Sequence, residues 1–343
     1  MRLLLLILIL ICNGVANAQT IGGEAVFNFL KLPPSPLLTA SGGVNVSYTV
    51  PDVGMASNQP ALFNEALHSV TGLSFNNYFA GINAYHISGA YHVKEANITL
   101  GGSIFYVDYG NLQQTDAAGN NLGSFHPRDY TIQISAAKKY LEKWQYGLSL
   151  KFIQSNYGQY NSSAIAFDAG ISYKDSAALF SAGLVAKNMG VQLKTFQGTG
   201  EDLPFDMQLG LTKKLAAAPI AFSVTAQHLH QWDINYNDTI FNQPLNESNN
   251  NSFADKLFNH FVVATHINLG NNLEVLAGYN RLRRSELNIG SDGNGLNGFS
   301  MGFAARFRKL QVQYGRAYFQ RNTAYNQFAI HIKLDEMFGL GSL

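Results

Sequence analysis

His228, Leu229 and His230, followed by Asp233, are the residues best suited to holding a metal ion. On a strand, residues two apart share a face, so both imidazoles can meet one ion, with the third ligand coming from a loop. The plainer reading is a pair of polar rim groups beside an interfacial Trp232, and no metal or cofactor site is expected. Nucleophilic chemistry is not signalled. No serine stands out, and His68, His86, His92, His126, His260, His266 and His331 are scattered over strands and turns. Residues 290–295, GSDGNG, have the glycine spacing of a phosphate loop but lie between two strand patterns, where turn chemistry accounts for them. At most their Asp and Asn offer a weak surface Ca²⁺ site. No catalytic residue is assigned.

Two surface groups suggest recognition instead. Arg281, Arg283 and Arg284, in RLRRSEL (281–287), can fork onto phosphates, sugar acids or a protein partner, although a solvated strand end explains them more simply. Trp232, Tyr236 and Phe241 lie in the Asn-rich connection 230–256, which is unusually aromatic for a solvated loop and is read as a docking surface.

The elements that must position these groups are strands. At 203–214, LPFDMQLGLTKK, Phe205, Met207, Leu209 and Leu211 alternate with Asp206, Gln208, Gly210 and Thr212. Such alternation makes one face greasy and the other polar. The pattern recurs in about fourteen segments, near 69–79, 84–93, 97–109, 128–138, 143–154, 162–173, 177–187, 204–214, 218–229, 257–268, 272–282, 297–307, 310–319 and 325–334. They are mostly longer than strands of soluble sheets and long enough to cross a bilayer at a tilt. Connections after even-numbered segments are short, whereas most after odd-numbered ones are long (110–127, 155–161, 188–203, 230–256, 283–296). An up-and-down transmembrane barrel sorts its loops this way. Aromatics near segment ends (Tyr78, Phe79, Tyr106, Tyr109, Tyr140, Trp144, Tyr318, Phe319) are expected to form interfacial girdles.

Composition agrees. Of 343 residues only 13% are charged, against about 25% in typical soluble domains. Arg2, the apolar run 3–12 and Ala16-Asn17-Ala18 form a signal peptide over 1–18. Its removal takes the only cysteine, Cys12, and reduces 23 basic side chains to 22 against 22 acidic ones. That excludes disulfides and thiolate metal sites, and leaves nothing basic enough for nucleic acid. Residues 19–68 lack long alternation and contain PPSP and SGG, so they are expected to form an N-terminal hatch, with 69–343 as an all-β, antiparallel outer-membrane β-barrel.

The sequence also resembles the PorQ-like barrels of the type IX secretion system of Bacteroidota, within the wider FadL-like and PorV-like group. The resemblance runs in order through FNFLKLPPSPLLTASGGVNVS (27–47), NQPALFN (58–64), FNNYFAGINAYHISGAY (75–91), FIQSNYGQYNS (152–162), VAKNMGVQLKTF (185–196), LPFDMQLGLTKKLAAAPIAFSVTAQHL (203–229), QWDINY (231–236), GYNRLRRSELNI (278–289), GLNGFSMGF (295–303) and LQVQYGRAYF (310–319). Gln59 departs from the group's Asn-Pro-Ala, and the ending MFGLGSL lacks a terminal aromatic. The resemblance implies a non-enzymatic cell outer-membrane anchor. It would hold a PorZ-like surface protein near a PorU-like sortase and a PorV-like barrel, so that cargo is processed and joined to anionic lipopolysaccharide. The alternative is a FadL-like transporter or pore for hydrophobic or small solutes.

Overall fold

The computed structural model describes residues 25–234, 253–287, 295–320 and 323–339. Its strands in chain order are β1 (Val70–Asn77), β2 (Asn83–Val93), β3 (Ile98–Asp108), β4 (Leu112–Thr115), β5 (Asn121–Phe125), β6 (Arg128–Tyr140), β7 (Trp144–Tyr157), β8 (Tyr160–Asp175), β9 (Phe180–Lys194), β10 (Asp206–Lys214), β11 (Ile220–Ala226), β12 (Phe261–Leu269), β13 (Leu273–Asn280), β14 (Phe299–Arg306), β15 (Leu310–Gln320) and β16 (Thr323–Lys333). All but β4 and β5 join neighbour to neighbour in one closed antiparallel barrel, and β1 pairs with β16. Closure removes every sheet edge, so each ladder group has a partner without help from water. No helix among the described residues is long and apolar enough to cross a membrane.

The greasy face of the alternating pattern points outward. In β10, Leu209 and Leu211 are exposed while Gln208, Gly210 and Thr212 are buried. Phe222 and Val224 of β11 and Met301 and Phe303 of β14 are likewise exposed. An apolar surface running around a whole barrel is stable against hydrocarbon, not water. Replacing Leu211 by arginine is therefore expected to destabilise the barrel in lipid by about 2–4 kcal/mol, read as a shift in urea unfolding from vesicles.

Three expectations need correction. Residues 155–161 are not a long loop, because β7 runs to Tyr157 and β8 begins at Tyr160, with Gly158 in a left-handed turn between them. RLRRSEL is not an extended strand end but a short helix (Arg281–Leu287). The supposed aromatic girdle also divides in two. Phe79, Tyr140 and Trp144 face outward, whereas Tyr78, Tyr109 and Phe319 turn inward and pack on an apolar cluster inside the barrel. Alternation identifies faces along a strand, but at strand ends the chain leaves the pleat and the rule lapses. The connection 110–127 carries its own hairpin, β4–β5.

The described residues before β1, from Ala25 on, pack against the inner face of this wall. They contain the short helices α1 (Pro36–Ala40) and α2 (Val53–Asn58), both wholly buried. Asp52 caps α2 by accepting from the Met55 N–H at 2.8 Å. The same carboxylate accepts from Ser35 Oγ at 2.8 Å and from Gln313 Nε2 of β15 at 2.9 Å.

Candidate functional site

The lumen and its mouth at the long-loop end are where this barrel can act on anything. Polar residues on the inner face of the wall bind the N-terminal segment from several sides. Thr39 Oγ1 donates to Gln327 Oε1 (2.6 Å), Asn45 Nδ2 to Ser223 Oγ (2.9 Å), Ser181 Oγ to the Ser47 carbonyl (2.8 Å) and Gln133 Nε2 to the Ser57 carbonyl (2.8 Å). Where no side chain intervenes, the wall is glycine. A Cβ at Gly147 would strike Pro60, at Gly183 Val46, at Gly278 Ser41 and Gly42, and at Gly315 Pro36. The inward glycines, which look like a merely bare face in the sequence, are the contact surface for this segment.

At the short-turn end the segment meets a buried carboxylate. Glu274, fully buried, accepts from Tyr48 OH and from an Arg306 Nη2, each at 2.5 Å. The Tyr48 ring stacks on His266 at 3.7 Å, and His266 Nε2 lies 2.8 Å from Ser223 Oγ. Ser223, His266 and Glu274 therefore follow one another in space, in the order of a hydrolytic triad. The geometry is that of a clasp instead. His266 Nδ1 is 3.9 Å from the carboxylate, which is committed to Tyr48 and Arg306, and Asn45 covers the serine hydroxyl. A triad needs hydrogen-bonded contacts and an open nucleophile.

The long-loop end is different in chemistry. Phe27, Phe29, Tyr78, Phe105, Leu203 and Tyr325 form a buried apolar cluster between the start of the N-terminal segment and the wall. Beside it lies a polar pocket of about 80 Å³, lined among others by Lys31, Asn58, Lys187, Asp206, Gln208 and His228. A bulge in β9 shapes this side. Lys187 and Asn188 together oppose Asp168 of β8, and Asn188 is left-handed with φ 58°. The bulge turns two consecutive polar side chains inward, where strict alternation would allow one. Asp168 then pairs with Lys151 at 2.6 Å and accepts from the Asn188 N–H at 2.8 Å.

The sequence-selected residues separate. Asp233 leaves the histidines and pairs with Lys256 at 2.5 Å. His228 and His230 instead face Asp206, a residue with no sequence proximity to mark it. They are not on a strand. His228 is left-handed (φ 54°) in a turn beyond β11, held by its N–H donating to Asp206 Oδ1 at 2.7 Å and by Leu229 N–H donating to the Met207 carbonyl at 3.0 Å. Burial holds both imidazoles below the ordinary histidine range and so favours their neutral forms, while the Asp206 charge opposes that shift.

The three arginines do not converge. Arg281 pairs with Asp255 at 2.5 Å, Arg283 donates to the Gly42 carbonyl at 2.9 Å and covers the Phe319 ring, and Arg284 reaches the Gly295 carbonyl at 3.3 Å. Arg283 thus holds the N-terminal segment at Gly42. Trp232 remains exposed, its ring 5.2 Å from that of exposed Phe253. Tyr236, Phe241, residues 1–18 and residues 290–294 lie outside the described residues.

No protein-family model and no curated protein matches the sequence. Among solved structures the chain is similar to the CymD monoaromatic hydrocarbon channel, with a TM-score of 0.53 and 13% identity over 90% of this chain and 97% of that one. It is similar to the deltaS2 mutant of the TodX monoaromatic hydrocarbon channel, with a TM-score of 0.52 and 13% identity over 88% of this chain and 99% of that one. A Pseudomonas aeruginosa FadL homologue has a TM-score of 0.49 and 9% identity, over 87% and 98% of the two chains. At such identities the likeness speaks to fold, and the chain has the closed antiparallel β-barrel fold of the CymD and TodX channels.

Proposed function

We propose that this chain is a plugged channel of a Gram-negative outer membrane that admits small hydrophobic solutes, with the N-terminal segment as its moving hatch. The observation that carries this reading is the buried aromatic cluster around Phe27, Phe29 and Phe105, placed inside the wall at the long-loop mouth. An aqueous pore gains nothing from such a lining, whereas an apolar solute can replace Phe27 or Phe29 against the same neighbours. The solute class is supported by the likeness to CymD and TodX, which are monoaromatic hydrocarbon channels. The segment is held by hydrogen bonds and packing, not by covalent links, so its release needs no chemistry.

Tying the segment to the wall tests this. Ser47 Oγ and Thr212 Oγ1 lie 2.8 Å apart, and the exported chain has no cysteine of its own once 1–18 is removed. With Ser47→Cys and Thr212→Cys joined as a disulfide, uptake of a labelled alkylbenzene by cells producing the protein is expected to fall about tenfold and to recover on reduction, since a 1.4 kcal/mol bias already gives a factor of ten. Equal uptake in both redox states overturns the proposal.

The anchoring role implied by the type IX resemblance is a second reading, favoured by the exposed Trp232–Phe253 pair. There the barrel holds a PorZ-like surface protein through its outer loops, and lipopolysaccharide-bound cargo is the product of its neighbours. Retention of a surface partner would be unaffected by the Ser47–Thr212 cross-link, which separates the two readings.

A further inference from the structure

We propose that Asp206, His228 and His230 form a binding site for a divalent transition-metal ion of the zinc class at the mouth of the barrel. One ligand atom from each residue can be chosen so that all lie within 4.8 Å of one another. His228 Nδ1 is 3.4 Å from Asp206 Oδ1. Tetrahedral zinc with bonds of about 2.0–2.2 Å places its ligand atoms about 3.3–3.6 Å apart, so the His228–Asp206 pair needs no movement. Only the His230 ring, which is exposed and packs its edge against Phe205 at 4.8 Å, has to close.

The surroundings are those of a built site. Asp206 is fixed by two further donors, the His228 N–H on Oδ1 and Gln208 Nε2 on Oδ2 at 2.5 Å. Orientation of a ligating carboxylate by such outer contacts is a regular feature of metal sites. Gln208 is 4% exposed and lines the same pocket, and its Oε1 is a buried acceptor with no protein partner. It is available to a water in the open coordination position. The left-handed backbone at His228, an uncommon conformation for a residue with a Cβ, is what turns the imidazole towards Asp206.

Ligand type selects the ion. Two imidazoles and one carboxylate suit zinc, nickel or copper, whereas Ca²⁺ and Mg²⁺ require more oxygens than this group provides. Lys31 and Lys187 line the pocket too, and their charges oppose any divalent cation there, so the bonds to both imidazoles and the carboxylate have to outweigh that repulsion. Lys187 is drawn aside by Asn58 Oδ1. His260 is not a fourth ligand, since its ring nitrogens face the carbonyls of Gln227 (2.7 Å) and Trp232 (3.1 Å). A bound ion would join the first residue of β10 to the turn that opens the long connection after β11, beside the N-terminal segment at Leu30 and Lys31.

The test uses the untagged mature protein in detergent, titrated with zinc chloride by calorimetry and with cobalt chloride by absorption spectroscopy. Expected are one zinc ion per chain, micromolar affinity, and cobalt bands of a tetrahedral or five-coordinate N/O site. His230→Gln and Asp206→Asn should each weaken zinc binding by about tenfold or more while the barrel keeps its heat-modifiable mobility. His126→Gln, at an exposed histidine paired with Asp108, should bind as the native protein does. Absence of saturable binding, or native affinity in a folded His230→Gln barrel, would overturn the site.

Discussion

Replacing Gly183 by valine is expected to expel the N-terminal segment from its seat while leaving the barrel able to close. At this position a side chain meets the backbone of Val46, and at Gly147 it meets the backbone of Pro60. Backbone cannot rotate aside as a flexible side chain does, so the wall or the segment must shift bodily. Forcing extra atoms into a packed interior costs about 1–3 kcal/mol where relaxation is possible. Here the hydrogen bonds of Ser47 to Ser181 and Thr212 are strained in addition. The segment is cheaper to move than fourteen paired strands. Gly183→Val and Gly147→Val together should therefore make residues 36–58 accessible to protease in detergent and raise ion conductance in planar bilayers. The strand content by circular dichroism should stay near native. A double variant that resists protease and stays silent in bilayers would show that the segment does not depend on those glycines for its place.

The barrel itself was legible because its physics is periodic. Leu209, Gln208 and their equivalents repeat every two residues on strand after strand, and the outward exposure of one set follows directly. Loop parity fixed the topology, although at 155–161 polar residues that continue β7 and β8 past the apolar band look like a loop in sequence. The helical turn at Arg281–Leu287 was hidden for a related reason: three arginines beside a strand read as a rim, and tertiary contacts such as those of Arg283 to Gly42 and Phe319 and of Arg281 to Asp255 give the helix its place. The candidate sites were less legible still. His228 and His230 announce themselves, but Asp206 is 22 positions before His228 and is brought to it by the β10–β11 pairing. Asp233, adjacent in sequence, goes elsewhere. The glycine positions are readable in the sequence, since Gly147, Gly170, Gly183, Gly210, Gly278, Gly302 and Gly315 all fall on the polar face of their strands. A bare stripe through many strands implies a close neighbour inside, and it is the signal that a plug is packed instead of solvated.

The second large effect lies at the other end of the lumen. Glu274 is fully buried and holds Tyr48 of the N-terminal segment and Arg306 of β14 at once. Changing Glu274 to leucine keeps much of the volume but leaves the tyrosine hydroxyl and the guanidinium without their acceptor. Removing one partner of a buried ion pair costs about 3–5 kcal/mol, and the lower figure applies because Arg306 is about a quarter exposed. Glu274→Gln retains an acceptor for Tyr48 and should lose less. If the clasp holds the segment, the leucine variant should free the chain around Tyr48 to proteolysis while β13 stays paired with β12 and β14. Addition of Arg306→Leu to Glu274→Leu should then recover part of the lost stability, because no unpaired charge is left behind. A double variant no better than Glu274→Leu alone would mean that the carboxylate matters through Tyr48 only, and that Arg306 finds water at the short-turn end.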